Sequence, residues 1–483
     1  MQENSPTRTP SVLLSLLPLA ILIGRLALTI YLFGSDALGG GSQVCLLVGS
    51  GICVLIGMGI LNKSWNEFEE AMVRNITGVG TAIIILLVIG ALSGAWIVSG
   101  VVPTLIYYGV QVIHPDFFLL CTCIICAIVS VMTGSSWTTI ATIGIALMGI
   151  GKAQGFSEGW IAGAIISGAY FGDKVSPLSD TTVLASSTTG TPLFTHIRYL
   201  MYTTVPSMTI ALIIFTLAGL SHKASDTSNI ALFTEALGAK FTITPWLLLV
   251  PVITGVLIAR RVPSIITLFI STMLAVIAAV IFQPYLLAEI GGNNPDGTLG
   301  MVKGTFITLF GATNLDAGSA EVNELITTRG MAGMLDTIWL VICAMCFGGA
   351  MTAGGMLESI TRMFVRFTRR RVGMVTSTVC SGLFFNVATA DQYISIILTS
   401  NMFKDIYKRN GYESRLLSRT TEDAVTVTSV LVPWNTCGMT QATILGVSTL
   451  TYLPYCFFNL ISPLMSILVT WTGYKIIQHK KPA

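Results

Sequence analysis

Along most of the chain, apolar residues come in unbroken stretches rather than in alternation with polar ones. Stretches such as 11–33, 264–283 and 451–475 reach the roughly 20 residues that a helix needs to cross a bilayer. Others are shorter, and several are cut in mid-sequence by Gly, Pro, Ser, Thr or Asp. Continuous runs of this length predict helices; a membrane β-barrel shows segments of ~10 residues with alternating pattern. Short, interrupted runs in corresponding halves point to broken helices that build a carrier's binding site.

An internal repeat gives those halves. Shifted by about 255 residues, Glu69, Arg74 and Gly78 fall on Glu324, Arg329 and Gly333. Leu92–Ala95 then falls on Phe347–Ala350, Gly100 on Gly355, Thr133 on Thr389, Pro177 on Pro433 and Tyr199 on Tyr455, in unbroken order. The predicted wiring of each half is two spans, an amphipathic stretch, a third span, a re-entrant hairpin, a broken helix and a last span. These are 11–33, 43–61, 62–76, 79–98, 115–152, 158–190 and 196–220, then 245–260, 264–283, 297–333, 334–353, 371–409, 413–447 and 451–475. The fold class is therefore an all-α polytopic membrane protein of two inverted-topology repeats, each with about five crossings. Segment by segment it reads as a polar N-terminus (1–10), a first repeat (11–220), a connecting loop (221–244), a second repeat (245–475) and a basic tail (476–483).

Composition agrees. Of 483 residues, 53% are hydrophobic and 10% charged, against about 25% charged in soluble domains. That excludes a soluble surface and, with a mean hydropathy of +0.78, a disordered chain. The ten Cys show no disulfide spacing; Cys121, Cys123 and Cys126 sit within one apolar run and read as small hydrophobes. The first run lacks a small-residue cleavage site and reads as a retained helix.

The net charge of +3 matters through its placement. With both termini in the cytoplasm, the wiring puts Arg260, Arg261, Arg362, Arg366, Arg369–Arg371, Lys404, Lys408, Arg409, Arg415, Arg419, Lys475, Lys480 and Lys481 inside. The outer segment 284–336 holds Glu289, Asp296, Asp316, Glu321, Glu324 and Asp336 against Lys303 and Arg329. This is the asymmetry of the positive-inside rule.

Charged groups at membrane depth are costly and are functional candidates. The densest polar stretch within apolar sequence is Gly172–Thr182, with Asp173, Lys174, Ser176, Pro177, Asp180 and Thr181. Pro177 disfavours helix at Ser176, so the helix unwinds here and exposes carbonyls beside carboxylates. Such hard oxygen ligands suit a small alkali cation; the competing reading is a solvated loop. Gly134–Thr139, with Ser136 and Thr138, reads as a re-entrant tip. Its repeat partner is Thr389–Gln392 with Asp391, and the partner of the Pro177 break is Val432–Gly438 with Asn435 and Thr436. Trp137 and Trp434 line a cavity or simply pack. Lys174 either pairs with Asp173 or faces the inner surface. Glu422 and Asp423 are expected to cap the N-terminus of the second broken helix, the alternative being a proton-entry funnel. Arg25 is read as snorkelling or a scaffold contact, Glu358 as a helix-end residue, and His114 and His196 as interfacial or pH-sensing side chains.

These motifs resemble a known family. Gly172–Thr182, Gly190–His196, Thr389–Gln392, Ser418–Asp423, Pro433–Gly438 and Trp96–Gly109 are similar to the NhaC family of sodium/proton antiporters, from about residue 80 to 460. Ala424-Val425 departs from the small residues usual there. The resemblance implies membership of the ion transporter superfamily, with paired hairpins and broken helices. It also implies that some relatives exchange organic acids.

The reading is a sodium/proton exchanger of the bacterial cytoplasmic membrane, working by alternating access. Asp173, Asp180 and Asp391 bind either cation or proton, and Ser136, Thr138, Ser176, Thr181, Asn435 and Thr436 supply neutral oxygens. The alternative is ion-coupled exchange of a carboxylic acid such as malate or lactate, which calls for Arg or helix N-termini; none of the four motifs holds an Arg. HExxH, GxSxG and Walker patterns are missing from the sequence, so no enzyme is expected. No cofactor or nucleic acid is expected either; the partners are sodium, protons and the bilayer, with a homodimer left open.

Overall fold

The computed structural model describes residues 10–33, 40–221, 227–292, 297–318, 322–323, 326–365, 368 and 370–478. Arg366, Arg369, Lys480, Lys481, Asp296, Glu321 and Glu324 lie outside the described residues. The first half runs α1 (Val12–Phe33), α2 (Gly41–Leu61), α3 (Trp65–Gly78), α4 (Gly80–Val98) and α5 (Val101–Val112). It continues with α6 (Phe118–Thr133), α7 (Ser136–Thr139), α8 (Ile145–Ala153), α9 (Glu158–Val175), α10 (Asp180–Thr189), α11 (Leu193–Ser221) and α12 (Thr227–Lys240). The second half runs α13 (Leu249–Ala259), α14 (Ser264–Phe282), α15 (Pro284–Ile290), α16 (Gly297–Phe310), α17 (Leu335–Ala353) and α18 (Met356–Val365). It ends with α19 (Arg371–Thr389), α20 (Gln392–Arg409), α21 (Ser414–Thr421), α22 (Thr436–Leu445), α23 (Thr449–Tyr452) and α24 (Phe457–Thr472).

Among the described residues the only β pairings are two isolated bridges. Among the same residues, eight helices are long and apolar enough to cross a membrane, or ten if two bent pairs each count as one span. The chain is thus an all-α polytopic membrane protein. Their outer faces are apolar because lipid, not water, is the solvent: Leu28 on α1, Ile277 on α14 and Leu468 on α24 are exposed.

Three features differ from the expected wiring: the first is that the segment 221–244, expected as a connecting loop, holds the helix α12. The stretches after α4 and α17 are short helices of their own, α5 and α18, because Gly100 and Gly355 take a left-handed turn (φ 82° and 65°) that ends the span before them. The hairpin arms are also longer than half a membrane, since 115–133 and 371–389 are each long enough to cross. What makes them a hairpin is the tip, where Ser136, Trp137 and Asp391 are buried in protein.

The same left-handed turn recurs in the two halves. Gly134 and Ala390 end the first hairpin arms, Gly155 and Gly411 follow the second arms, and Gly190 and Gly446 end the broken helices. Packing is reciprocal as well: α2 and α3 lie on α17, as α14 and α16 lie on α4. Both close approaches use a glycine. A Cβ on Gly94 of α4 would stand 2.1 Å from the Thr308 carbonyl of α16, and one on Gly349 of α17 would stand 2.7 Å from Met72 Cα of α3. At α3 the local sequence sets the helix start: Ser64 and Glu67 form a capping box (Glu67 N to Ser64 Oγ 3.4 Å, Ser64 N to Glu67 Oε1 3.1 Å).

Candidate functional site

The first broken helix stops where the sequence requires. Helix α9 ends at Val175, and Ser176 before Pro177 is extended (φ −78°, ψ 130°). Ser179 restarts the chain as the N-cap of α10, its side chain accepting from Thr182 N. The break is pinned to the first hairpin arm: Ser176 Oγ donates to the Val131 carbonyl (2.9 Å) and Ser130 Oγ to the Ala169 carbonyl (2.5 Å).

Asp173, one turn before the break, is buried. Its Oδ2 accepts from the backbone N–H (3.2 Å) and hydroxyl (2.7 Å) of Ser136 at the hairpin tip, and its Oδ1 from Ser179 Oγ (2.6 Å). The second half builds the same bridge in the opposite sense, with the carboxylate on the tip. Asp391 N-caps α20 through Ile394 N (3.0 Å) and accepts from Thr436 Oγ1 (3.1 Å) at the second break. Thr436 N also donates to the carbonyl of Ala390 (2.8 Å). That residue holds its left-handed turn (φ 58°) without glycine, at a cost of about 1–2 kcal/mol. Asn435 N-caps α22 through Cys437 N (3.1 Å) and donates to the Asn386 carbonyl (3.0 Å), while Asn386 donates to the Val425 carbonyl (2.7 Å) ahead of the second break.

Both tips and both breaks open on one cavity of about 690 Å³. Asp173, Asp180, Asp391, Thr138, Thr181 and Thr436 line it. Asp180 is exposed to this space at the first turn of α10. The hydroxyl of Thr138 bonds Ser135 Oγ (3.2 Å) and that of Thr181 bonds Ser179 Oγ (3.0 Å). Ser136, Ser176 and Asn435 are not in the lining: Ser136 reaches the site through Asp173, while Ser176 and Asn435 hold the breaks. Among the described residues, no three His, Cys, Asp or Glu side chains gather closely enough to share one metal ion. An ion here would be held by carboxylate together with hydroxyls and carbonyls.

Two lining residues were not singled out from sequence as site residues. Ser179 carries the shortest bond to Asp173, and its spacing six residues on hid it among neighbouring hydroxyls. Arg261 stands in the turn after α13 in a left-handed conformation (φ 61°), on the cavity wall. Nothing in the local sequence connects it to the four motifs.

Behind the cavity lies a fully buried charged cluster. Lys174 pairs with neither Asp173 nor solvent; its ammonium donates to Asp423 and to Ser462 Oγ (3.0 Å). Asp423 also accepts from Thr203 Oγ1 (3.1 Å) and lies 3.9 Å from Arg419 Nε. The expectation that Glu422 and Asp423 cap a helix N-terminus is corrected: they follow α21 in a π-helical turn, Glu422–Thr426. Thr182 Oγ1 joins cluster and cavity, reaching Glu422 Oε1 (3.3 Å) and the carbonyls of Lys174 (3.1 Å) and Asp173 (3.4 Å). His196 is fully buried, its Nδ1 against Ser418 Oγ (2.6 Å). Trp137 lines the cavity, whereas Trp434 donates to the Val387 carbonyl (2.8 Å).

Residues 168–474 match the model of the Na+/H+ antiporter family. The chain is 36% identical over 430 residues to the Na(+)/H(+) antiporter NhaC of Alkalihalophilus pseudofirmus, covering 89% of each. It is 37% identical over 423 residues to the Malate-2H(+)/Na(+)-lactate antiporter of Bacillus subtilis, covering 87% of each. To the Arginine/ornithine antiporter ArcD of Halobacterium salinarum it is 32% identical over 480 residues, 98% of this chain and 95% of that one.

Proposed function

The chain belongs to the Na+/H+ antiporter family, and from that premise we propose that it exchanges sodium for protons across the bacterial cytoplasmic membrane by alternating access. The observation that carries the reading is the convergence of two hairpin tips and two helix breaks on one cavity with three carboxylates. A carboxylate withdrawn from water is disfavoured in its charged form. It is stable when it holds a proton or when a cation sits against it. Sodium arriving at Asp173 or Asp391 therefore displaces a proton, and a proton displaces sodium. The hydroxyls of Ser136, Ser179 and Thr436 suit both states, because each both donates and accepts: each donates to the bare carboxylate and turns a lone pair to sodium. If only the neutralised site crosses the barrier, the two ions move in opposite directions.

The two halves are read as inverted repeats with both termini in the cytoplasm. The recurring left-handed turns and the reciprocal packing support the repeat, and the placement of Lys and Arg supports the orientation. On that orientation the cavity opens inward, beside Arg261.

A second reading, ion-coupled exchange of a small carboxylic acid, has one observation in its favour. Arg261 lines the same cavity, whose 690 Å³ exceeds what sodium requires. Proton flux in proteoliposomes separates the two. The exchanger reading expects sodium-driven proton movement without any organic acid. Flux that appears only with malate or lactate overturns it in favour of the second reading, and no sodium-dependent flux in either condition overturns both.

A further inference from the structure

A second cavity of about 430 Å³ lies beside the segment 327–334 and the end of α8. The two cavities share three walls. Helix α4 gives Thr81 and Ile85 to the first and Ile89 and Ser93 to the second. The second hairpin arm gives Trp137 and Thr138 to the first and Ile145 and Met148 to the second. Helix α22 gives Thr436 to the first and its last turn, Ala442–Leu445, to the second. A barrier a few residues thick therefore separates two spaces strung along the same three elements.

The barrier has two unusual features. On the hairpin arm it is a π-helical turn, Ile140–Gly144, a distortion frequent at functional sites. On α22 it holds Gln441, which is fully buried with neither its amide nitrogen nor its oxygen hydrogen-bonded. Two residues on, Thr443 bonds Thr337 of α17 (2.5 Å). Successive residues turn by about 100°, so Gln441 points away from α17; on its other sides α22 packs on Ser429–Leu431, the π-helical turn, α23 and α8. A buried amide unsatisfied at both ends is costly, and an ion or water passing the barrier would satisfy it.

Resting on the exchange reading above, we propose that the transported monovalent cation passes from the first cavity to the second between α4, the π-helical turn and α22, with Gln441 as its transit ligand. The second cavity is then the outer vestibule. Gln441 touches the cation in passage and is not part of the site that captures sodium.

Two experiments on the full-length protein test this. The first compares Thr81→Cys and Ser93→Cys, which lie about 18 Å apart on one helix. Each is treated in oriented vesicles with a membrane-impermeant thiol reagent and read peptide by peptide by mass spectrometry, so the native cysteines stay. Thr81→Cys should react from the cytoplasmic side and Ser93→Cys from the outer side; reaction of both from one side overturns the proposal. This readout stands even if the transported ions are not those proposed above. The second is Gln441→Leu, which keeps the volume and removes the two unpaired atoms, so it should melt at or above the wild-type temperature. Maximal exchange should fall by about tenfold or more, with the half-saturating sodium concentration within about twofold of wild type. Wild-type maximal exchange, a shift confined to sodium affinity, or a lowered melting temperature with proportionate loss of activity would each overturn Gln441's role.

Discussion

The carboxylate of Asp173 accepts both the backbone N–H and the hydroxyl of Ser136, at 3.2 and 2.7 Å. One side chain thus latches the first helix break to the first hairpin tip. Because Ser179 completes the same carboxylate (2.6 Å) and also caps α10, tip, break and restarted helix form one unit. Asp391 and Thr436 make the corresponding unit in the second half.

Ser179→Ala should therefore do more harm than Pro177→Ala. It removes an N-cap, typically ~1 kcal/mol, and a charge-assisted bond of about 1.5–3 kcal/mol. Pro177 sits in a break that Ser176, Ser179 and Asp173 hold independently. Apparent sodium affinity in everted vesicles should weaken about tenfold or more for Ser179→Ala and by less than threefold for Pro177→Ala. Equal effects would show that proline, not the carboxylate latch, maintains the break.

Asp→Asn at 173, 180 and 391 removes a protonatable group while keeping size. Asp173→Asn should abolish exchange: its carbonyl oxygen can still accept from Ser136 and its amide can donate to Ser179 Oγ, so the latch is kept while the group that takes up a proton is gone. Asp180, exposed in the cavity, should mainly set sodium affinity when changed. In the wild type, lowering the pH should weaken apparent sodium affinity, since protons and sodium compete for the same oxygens. A sodium affinity that stays constant over the active pH range would refute the competition.

Breaking the Lys174–Asp423 pair should be costly. Both side chains are fully buried, and removing one partner of such a pair costs about 3–5 kcal/mol. Lys174→Met alone should lower the melting temperature in detergent sharply. Lys174→Met with Asp423→Leu should recover only part of that loss, because the stranded Asp423 charge is gone but buried Arg419, 3.9 Å away, loses its carboxylate. An additive double variant would mean that the pair is not the source of the effect.

Cysteines replacing Lys303 and Arg370, both exposed, should label from opposite sides of the membrane, Lys303 from outside. Labelling from one side would end the inverted arrangement of the halves.

The sequence alone determined the class, the order of elements and the places where helices break. Those depend on local properties: runs of apolar residues, Pro177 forcing Ser176 out of the helix, and polar tips that only a cavity tolerates. Tertiary structure decided which side chains meet. Lys174 finds Asp423, 249 residues away, rather than its neighbour Asp173. Glu422 and Asp423 sit in a π-helical turn instead of capping a helix. Ser176 turns to Val131 while Ser179, three residues on, reaches Asp173. Arg261 arrives at the cavity from a turn outside every motif. The reason is that periodicity fixes the faces of one helix, whereas a site in this protein lies where tips and breaks from distant segments pack together. A one-residue change in where an unwound stretch resumes its helix redirects every hydroxyl by about 100°, and only the packed neighbours select which direction holds.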